Sequence, residues 1–239
     1  MKTTDIKKNV QNILQTLPHS VALVAAAKTR TGDEVKAAVE GGVRVLGHNY
    51  VQEAEQMHKE IGEWTKSRNV KWHMIGHLQR NKAKKAISLF DMIETLDSFR
   101  LAKKLQKECE KADRTMDVLI EVNSGEESNK TGVTPENVEE LVHKVSELDR
   151  LYIKGLMTMG PIGGNPEDAR PYFRLTKQLF NELSSLPQDN VSMETLSMGM
   201  SNSYLQAVEE GATLVRIGTR LFGPRACMTQ LSNQPSHNS

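Results

Sequence analysis

Apolar positions along the chain switch repeatedly between a period near four and short unbroken runs, which predicts helices alternating with buried strands. The first stripe is Ile6, Val10, Ile13, Leu14 and Leu17, a helix over Thr4 to Leu17 closed by Pro18. A strand follows at Val21 to Ala27. Thr31-Gly32-Asp33-Glu34 reads as a helix start, and Gly41-Gly42 stops that helix. The alternation continues with strands at Val43–Leu46, Val70–Ile75, Phe90–Leu96, Met116–Val122, Leu151–Met157, Val191–Leu196 and Thr213–Ile217. Helices fall at Tyr50–Lys66, Gln79–Ser88, Asp97–Ala112, Thr134 to about Leu148, Glu167–Leu186 and Ser201–Glu210. Glu121 breaks the apolar run of the fifth strand. Asp97 or Ser98 caps the helix after the fourth, and Pro135 sits just inside the helix after the fifth.

Eight strands alternating with helices in 239 residues predict an α/β fold, a (β/α)8 TIM barrel with an extra N-terminal helix. An open doubly wound sheet is the alternative. No composition break separates two domains, so residues 1–225 are read as one domain and the polar stretch 226–239 as a disordered tail.

Composition narrows the function classes. No run of eighteen apolar residues occurs, so no membrane-spanning helix is expected. The N-terminal segment lacks the apolar core of a signal peptide. Cys109 and Cys227 lie far apart and suggest no disulfide framework, which fits a cytoplasmic protein. With 31 basic and 30 acidic residues, the net charge of +1 gives no reason to expect nucleic acid as a partner.

Barrel chemistry gathers where strands end. Lys28, Asn49, His77, Asn123, Thr158, Ser201, Arg216, Gly218 and Thr219 all fall there. The segments after the seventh and eighth strands, SMGMSNSY and RIGTRLFG, carry small residues, hydroxyls and helix starts. Such turns hold phosphate on unpaired backbone N–H groups, and Gly218 admits close approach. The eighth strand closes on the first, which makes Lys28 and Arg216 neighbours at the rim. A lysine, an arginine and a phosphate site together suggest pyridoxal phosphate, or a Schiff-base aldolase acting on a sugar phosphate. His73 and His77 have a metal-like spacing, but Gly76 argues against the helix that this would need, so no metal is expected. The basic run Arg80, Lys82, Lys84 and Lys85 reads as a solvated helix face. The methionines Met157, Met159, Met193, Met198 and Met200 read as core and pocket wall. Glu126, Glu127 and Lys130 gate the pocket or are plain surface.

Six ordered motifs, VAAAKT, GHNYVQE, WHMIGHLQRNK, GLMTMGP, LSMGMS and VRIGTRLFG, resemble the YggS/PROSC family of pyridoxal-phosphate homeostasis proteins, related to the barrel domain of alanine racemase. The resemblance spans Val21 to about Gly223. It implies that Lys28 holds pyridoxal 5'-phosphate as an aldimine and that Asn49 and His77 line the pocket. It implies that Ser201, Gly218 and Thr219 cradle the phosphate and that Arg216 faces the pyridine nitrogen. It also implies a carrier or regulator of intracellular pyridoxal phosphate, serving cofactor-dependent apoenzymes, with little or no turnover. Ala27, His48 and Asn202-Ser203 depart from the family pattern, where serine, glutamate and an acidic pair are usual. A pyridoxal-phosphate-dependent racemase is the alternative. Racemisation needs a second proton-transfer group, which related racemases draw from a further domain and a partner subunit. Few residues follow the eighth strand, so that group has no evident source, and a monomer is expected.

Overall fold

The computed structural model describes residues 1–125, 131–161, 164–185 and 189–224. Eight parallel strands close into a barrel in the order β1 to β8, and β1 pairs with β8. That closure excludes the open sheet. The strands are β1 (Ala22–Ala26), β2 (Val45–His48), β3 (Lys71–Met74), β4 (Met92–Leu96), β5 (Met116–Val122), β6 (Leu151–Thr158), β7 (Val191–Ser197) and β8 (Leu214–Ile217). The helices are α1 (Thr3–Thr16), α2 (Gly32–Gly41), α3 (Val51–Lys66), α4 (Ala83–Leu89), α5 (Phe99–Lys111), α6 (Val138–Ser146), α7 (Arg170–Leu183), α8 (Tyr204–Glu209) and α9 (Thr219–Phe222). The segments read as a tail and as a possible gate lie outside the described residues, as does Cys227.

Local chemistry sets the helix starts. Thr31 caps α2 in a reciprocal box with Glu34. Ser98, not Asp97, caps α5, accepting from the Leu101 N–H at 3.4 Å. α1 buries Ile6, Val10 and Ile13. Gly41 lets it approach α2, because a Cβ there would lie 3.0 Å from the Val10 Cβ. At its other side Asn9 donates to the Leu221 carbonyl of α9 at 3.1 Å. The added helix therefore bridges the elements that flank the β8–β1 seam.

Most strands have two buried faces, the usual reason barrel strands read as continuous apolar runs, whereas β7 is buried only at its C-terminal end. Leu23, Ala25, Leu46, Trp72, Met74, Ile93, Val118 and Ile120 belong to the large shell between sheet and helices. Val24, Ile75 and Leu214 form a separate small cluster with Ala26 and Val45. These face the barrel interior: a Cβ on Gly47 would meet Val24 at 2.6 Å and Ile75 at 2.7 Å. Register shifts occur in β4, β5 and β6. At the last of them Gly155 has φ +145°, and a Cβ would sit 1.9 Å from the Thr195 carbonyl oxygen, so only glycine lets β6 and β7 meet.

Candidate functional site

Alternation carries the interior rows of β1 and β2 past the strand ends. Val24 and Ala26 lead to Lys28, and Val45 and Gly47 lead to Asn49. Lys28 lies two residues beyond β1, half-buried, in a turn where Thr29 adopts φ +60°. Its amine donates to the Tyr50 hydroxyl at 3.3 Å and lies 4.9 Å from that ring's centre. Gly76 packs against the Asn49 backbone, and a Cβ on it would be 2.5 Å from the Asn49 carbonyl oxygen. His77 is exposed on the same side of the rim, its Nδ1 3.2 Å from Asp97. Asn49 and His77 share a cleft of about 410 Å³ with Tyr50, Met74 and Gly76.

The opposite side of the Lys28 turn is the seam. Ala25 pairs with Ile217, so Gly218 lies beside Ala26, where a Cβ would be 3.4 Å from the Ala26 Cβ. Gly218 caps α9, and its N–H donates to the Ser201 hydroxyl at 3.3 Å. Thr219 is exposed next to it. Ser201, Gly218 and Thr219 are therefore brought together at the C-terminal end of the barrel. The helix expected to begin at Ser201 begins instead at Tyr204. The intervening residues form a turn in which the Met200 N–H donates to the Ser203 hydroxyl at 3.4 Å. The candidate anion-binding turn is the β8–α9 turn with Ser201 beside it, not a long helix start after β7. Arg30 fastens this turn from β1: its guanidinium donates to the Phe222 carbonyl at 3.2 Å and to the Gly223 carbonyl at 2.7 Å.

Arg216 is not the rim neighbour of Lys28. Its register partner is Val24, four residues earlier, which places it one layer deeper. It is 4% exposed and lies within a polar network across the interior. One guanidinium nitrogen donates to the Ser197 hydroxyl and the other to the Thr158 carbonyl at 2.8 Å. Ser197 in turn donates to Glu94 Oε2 at 2.6 Å. Glu94 Oε1 accepts from His73 Nδ1 at 2.7 Å. Glu94 is fully buried. Burial acts to raise its carboxyl, but the His73 bond and the neighbouring charges prevail and hold it below the ordinary value. For Arg216, burial outweighs Glu94 and Glu121 and lowers the guanidinium. Glu121 is 5% exposed and raised by burial. Its Oε1 accepts from Thr131 at 2.7 Å, and its Oε2 has no partner among the described residues.

Sequence reasoning missed the network. Its signal was there: Glu94 interrupts MIETL as Glu121 interrupts MDVLIEV, charges inside strands that are otherwise apolar. The histidine pair resolves differently from a metal site. His73 is a strand residue bonded to Glu94, whereas His77 is on the following loop against Asp97. Among the described residues no group of three or more His, Cys, Asp or Glu could hold a metal ion. His48, one of the departures, faces the outer shell and not the site, stacked on Trp72 at 4.8 Å and 6°.

The closed barrel with its leading helix has a counterpart in the family described as alanine racemase, N-terminal domain. The family of that description matches residues 2–226. Alanine racemase from Clostridium difficile 630 superposes with a TM-score of 0.74 over 94% of this chain and 61% of its own, at 13% identity, a likeness of fold. Nearer relatives are named pyridoxal phosphate homeostasis protein. That of Aquifex aeolicus is 43% identical over 203 residues, 85% of this chain and 86% of the relative. That of Escherichia coli K12 is 33% identical over 211 residues, 87% of each chain. PipY of Synechococcus elongatus, solved with pyridoxal phosphate bound, superposes with a TM-score of 0.82 at 31% identity, over 91% of this chain and all of its own. The chain belongs to the family of pyridoxal phosphate homeostasis proteins.

Proposed function

We propose that this chain binds pyridoxal 5'-phosphate at the C-terminal end of the barrel, through Lys28, and acts as a carrier or regulator of that cofactor in the cytoplasm, with little turnover. The observation that carries this reading is the juxtaposition across the seam: an amine beyond β1 beside an N–H and hydroxyl cradle beyond β8. The residues fit the cofactor group by group. Gly218, Thr219 and Ser201 offer donors to a phosphate. Lys28 offers a half-buried amine to an aldehyde, and Tyr50 is placed to exchange a hydrogen bond with it. Asn49 and His77 line the open side, and Arg216 lies beneath the ring position.

When bound, the cofactor supplies an aldehyde for amines and a ring that accepts electrons. This chain's residues favour the first. A guanidinium keeps its protons at neutral pH, so Arg216 would offer the ring nitrogen a hydrogen bond without giving up a proton to it. The ring stays a weak electron acceptor, and reversible capture dominates over chemistry at an amino-acid α-carbon. The protein works as a monomer and hands its cargo to cofactor-dependent apoenzymes.

Borohydride reduction of the loaded protein, followed by peptide mapping, tests the site. The label is expected on Lys28, and Lys28→Ala should lose the visible absorbance of the lysine-linked cofactor. Label on another lysine defeats the assignment. Single amino-acid enantiomers should keep their configuration on long incubation, as read by chiral chromatography. Rapid loss of configuration would establish the racemase alternative.

A further inference from the structure

The polar chain beneath the rim joins β3, β4, β6, β7 and β8 through the barrel interior, where apolar packing would be the ordinary filling. Its centre is Glu94, on a strand diametrically opposite β8 in a closed order of eight. A fully buried carboxylate opposite a nearly buried guanidinium is costly to desolvate, so the pair calls for an explanation beyond stability. Arg216 Nη1 lies 4.0 Å from Glu94 Oε2, and the Ser197 hydroxyl bridges the two.

Proton directions in this chain are determined. An ionised carboxylate only accepts, so the Ser197 hydrogen must point at Glu94 and a Ser197 lone pair must face Arg216. His73 must present Nδ1–H to the other oxygen. The Thr158 carbonyl takes the second guanidinium nitrogen. Two of the five Arg216 donors are thus committed to Ser197 and to the Thr158 carbonyl at the end of β6, which fixes the plane of the fork. The charged groups around Arg216 are Glu94 from β4, Glu121 from β5 and, through Glu94, His73 from β3.

We propose that Glu94 is a positioning residue for the cofactor. Through Ser197 it sets the orientation of the Arg216 guanidinium and offsets its charge, and so tunes the interior face that Arg216 presents to the pyridine ring. This rests on the reading of the rim as a pyridoxal phosphate site. Neither Glu94 nor Ser197 needs to touch the ligand. Glu94→Gln replaces an acceptor-only group by an amide whose NH2 must point at either His73 or Ser197, so one of the two bonds is reversed. Ser197→Ala removes the bridge and leaves every charge in place.

The test uses the full chain and four variants: Glu94→Gln, Ser197→Ala, Arg216→Gln and the double variant Glu94→Gln/Arg216→Gln. Two ligands are titrated, pyridoxal 5'-phosphate by visible absorbance and pyridoxine 5'-phosphate, which lacks the aldehyde, by calorimetry. Circular dichroism checks that each variant folds. Glu94→Gln and Ser197→Ala are each expected to weaken both ligands about tenfold, the scale of one misdirected charge-assisted hydrogen bond. In the Arg216→Gln background the Glu94→Gln effect should vanish, because Glu94 acts through the guanidinium. Should Glu94→Gln fail to fold, Ser197→Ala and Arg216→Gln carry the test. A wild-type protein that takes up the cofactor while folded Ser197→Ala and Glu94→Gln bind equally well overturns the positioning role alone. So does a Glu94→Gln effect undiminished without Arg216. A wild type that takes up no cofactor overturns the site reading itself.

Discussion

His48 is an imidazole with no hydrogen-bond partner on either nitrogen among the described residues, 1% exposed and stacked flat on Trp72. Burial pushes its pKa from 6.5 down to about 4. Between those values the unfolded chain takes up a proton that the folded chain refuses. Stability is therefore complete above about pH 6.5 and is lost as pH falls towards about 4, by on the order of 3 kcal/mol. His48→Phe keeps a stacked ring and removes the titration. Its urea midpoint should decline less than the wild type's from pH 6.5 to 4, and equal slopes would refute the assignment. This residue also shows where sequence reading stops. Flanked by Gly47 and Asn49 it looked like part of the rim. Only knowing which face of β2 it takes separates shell from site, and a one-residue change in strand placement inverts that face. Lys28 was legible because a lysine closing an apolar run is conspicuous. Glu94 was not, because a single acid in a strand carries no record of the partners that satisfy it.

The elements were legible in kind, less so in their limits. Met116–Val122 matches β5 at both ends, since Arg114 and Asn123 bound an apolar run. The helix after β7 is shorter than its pattern, because Ser203 accepts from the Met200 N–H and holds the first residues in a turn. α9 has only four residues, too short to persist alone. Arg30 binds its last carbonyls and lies 5.3 Å from the Phe222 ring, so the turn after β1 supports the turn after β8. Arg30→Ala should destabilise the fold by about 1–2 kcal/mol. It should weaken pyridoxal 5'-phosphate severalfold while leaving phosphate-free pyridoxal unchanged, measured by parallel absorbance titrations. Equal losses for both ligands would show that the cradle does not depend on this clamp.

At the scale of the molecule, counting eight strand–helix units was enough to propose a closed barrel, because closure needs that number and little else. Height around the barrel was not available from the same count. Strands tilt and stagger on closing, so alternation tells which side chains face inward but not which ones share a layer. That is why Arg216 pairs with Val24 and does not stand level with Lys28. The register shifts between β4 and β5, β5 and β6, and β6 and β7 compound this; the last two fall at Gly155, and the first has no glycine to mark it.

The seam between β1 and β8 has one more consequence. Lys28 follows the first strand of the barrel and Gly218 follows the last, so the two sides of the seam are far apart along the chain. A ligand gripped from both sides of the seam ties the earliest strand to the latest, and its binding free energy is added to the closed state alone. On the reading of the rim as a pyridoxal phosphate site, uptake of the cofactor adds a tie across this seam and its loss removes that tie.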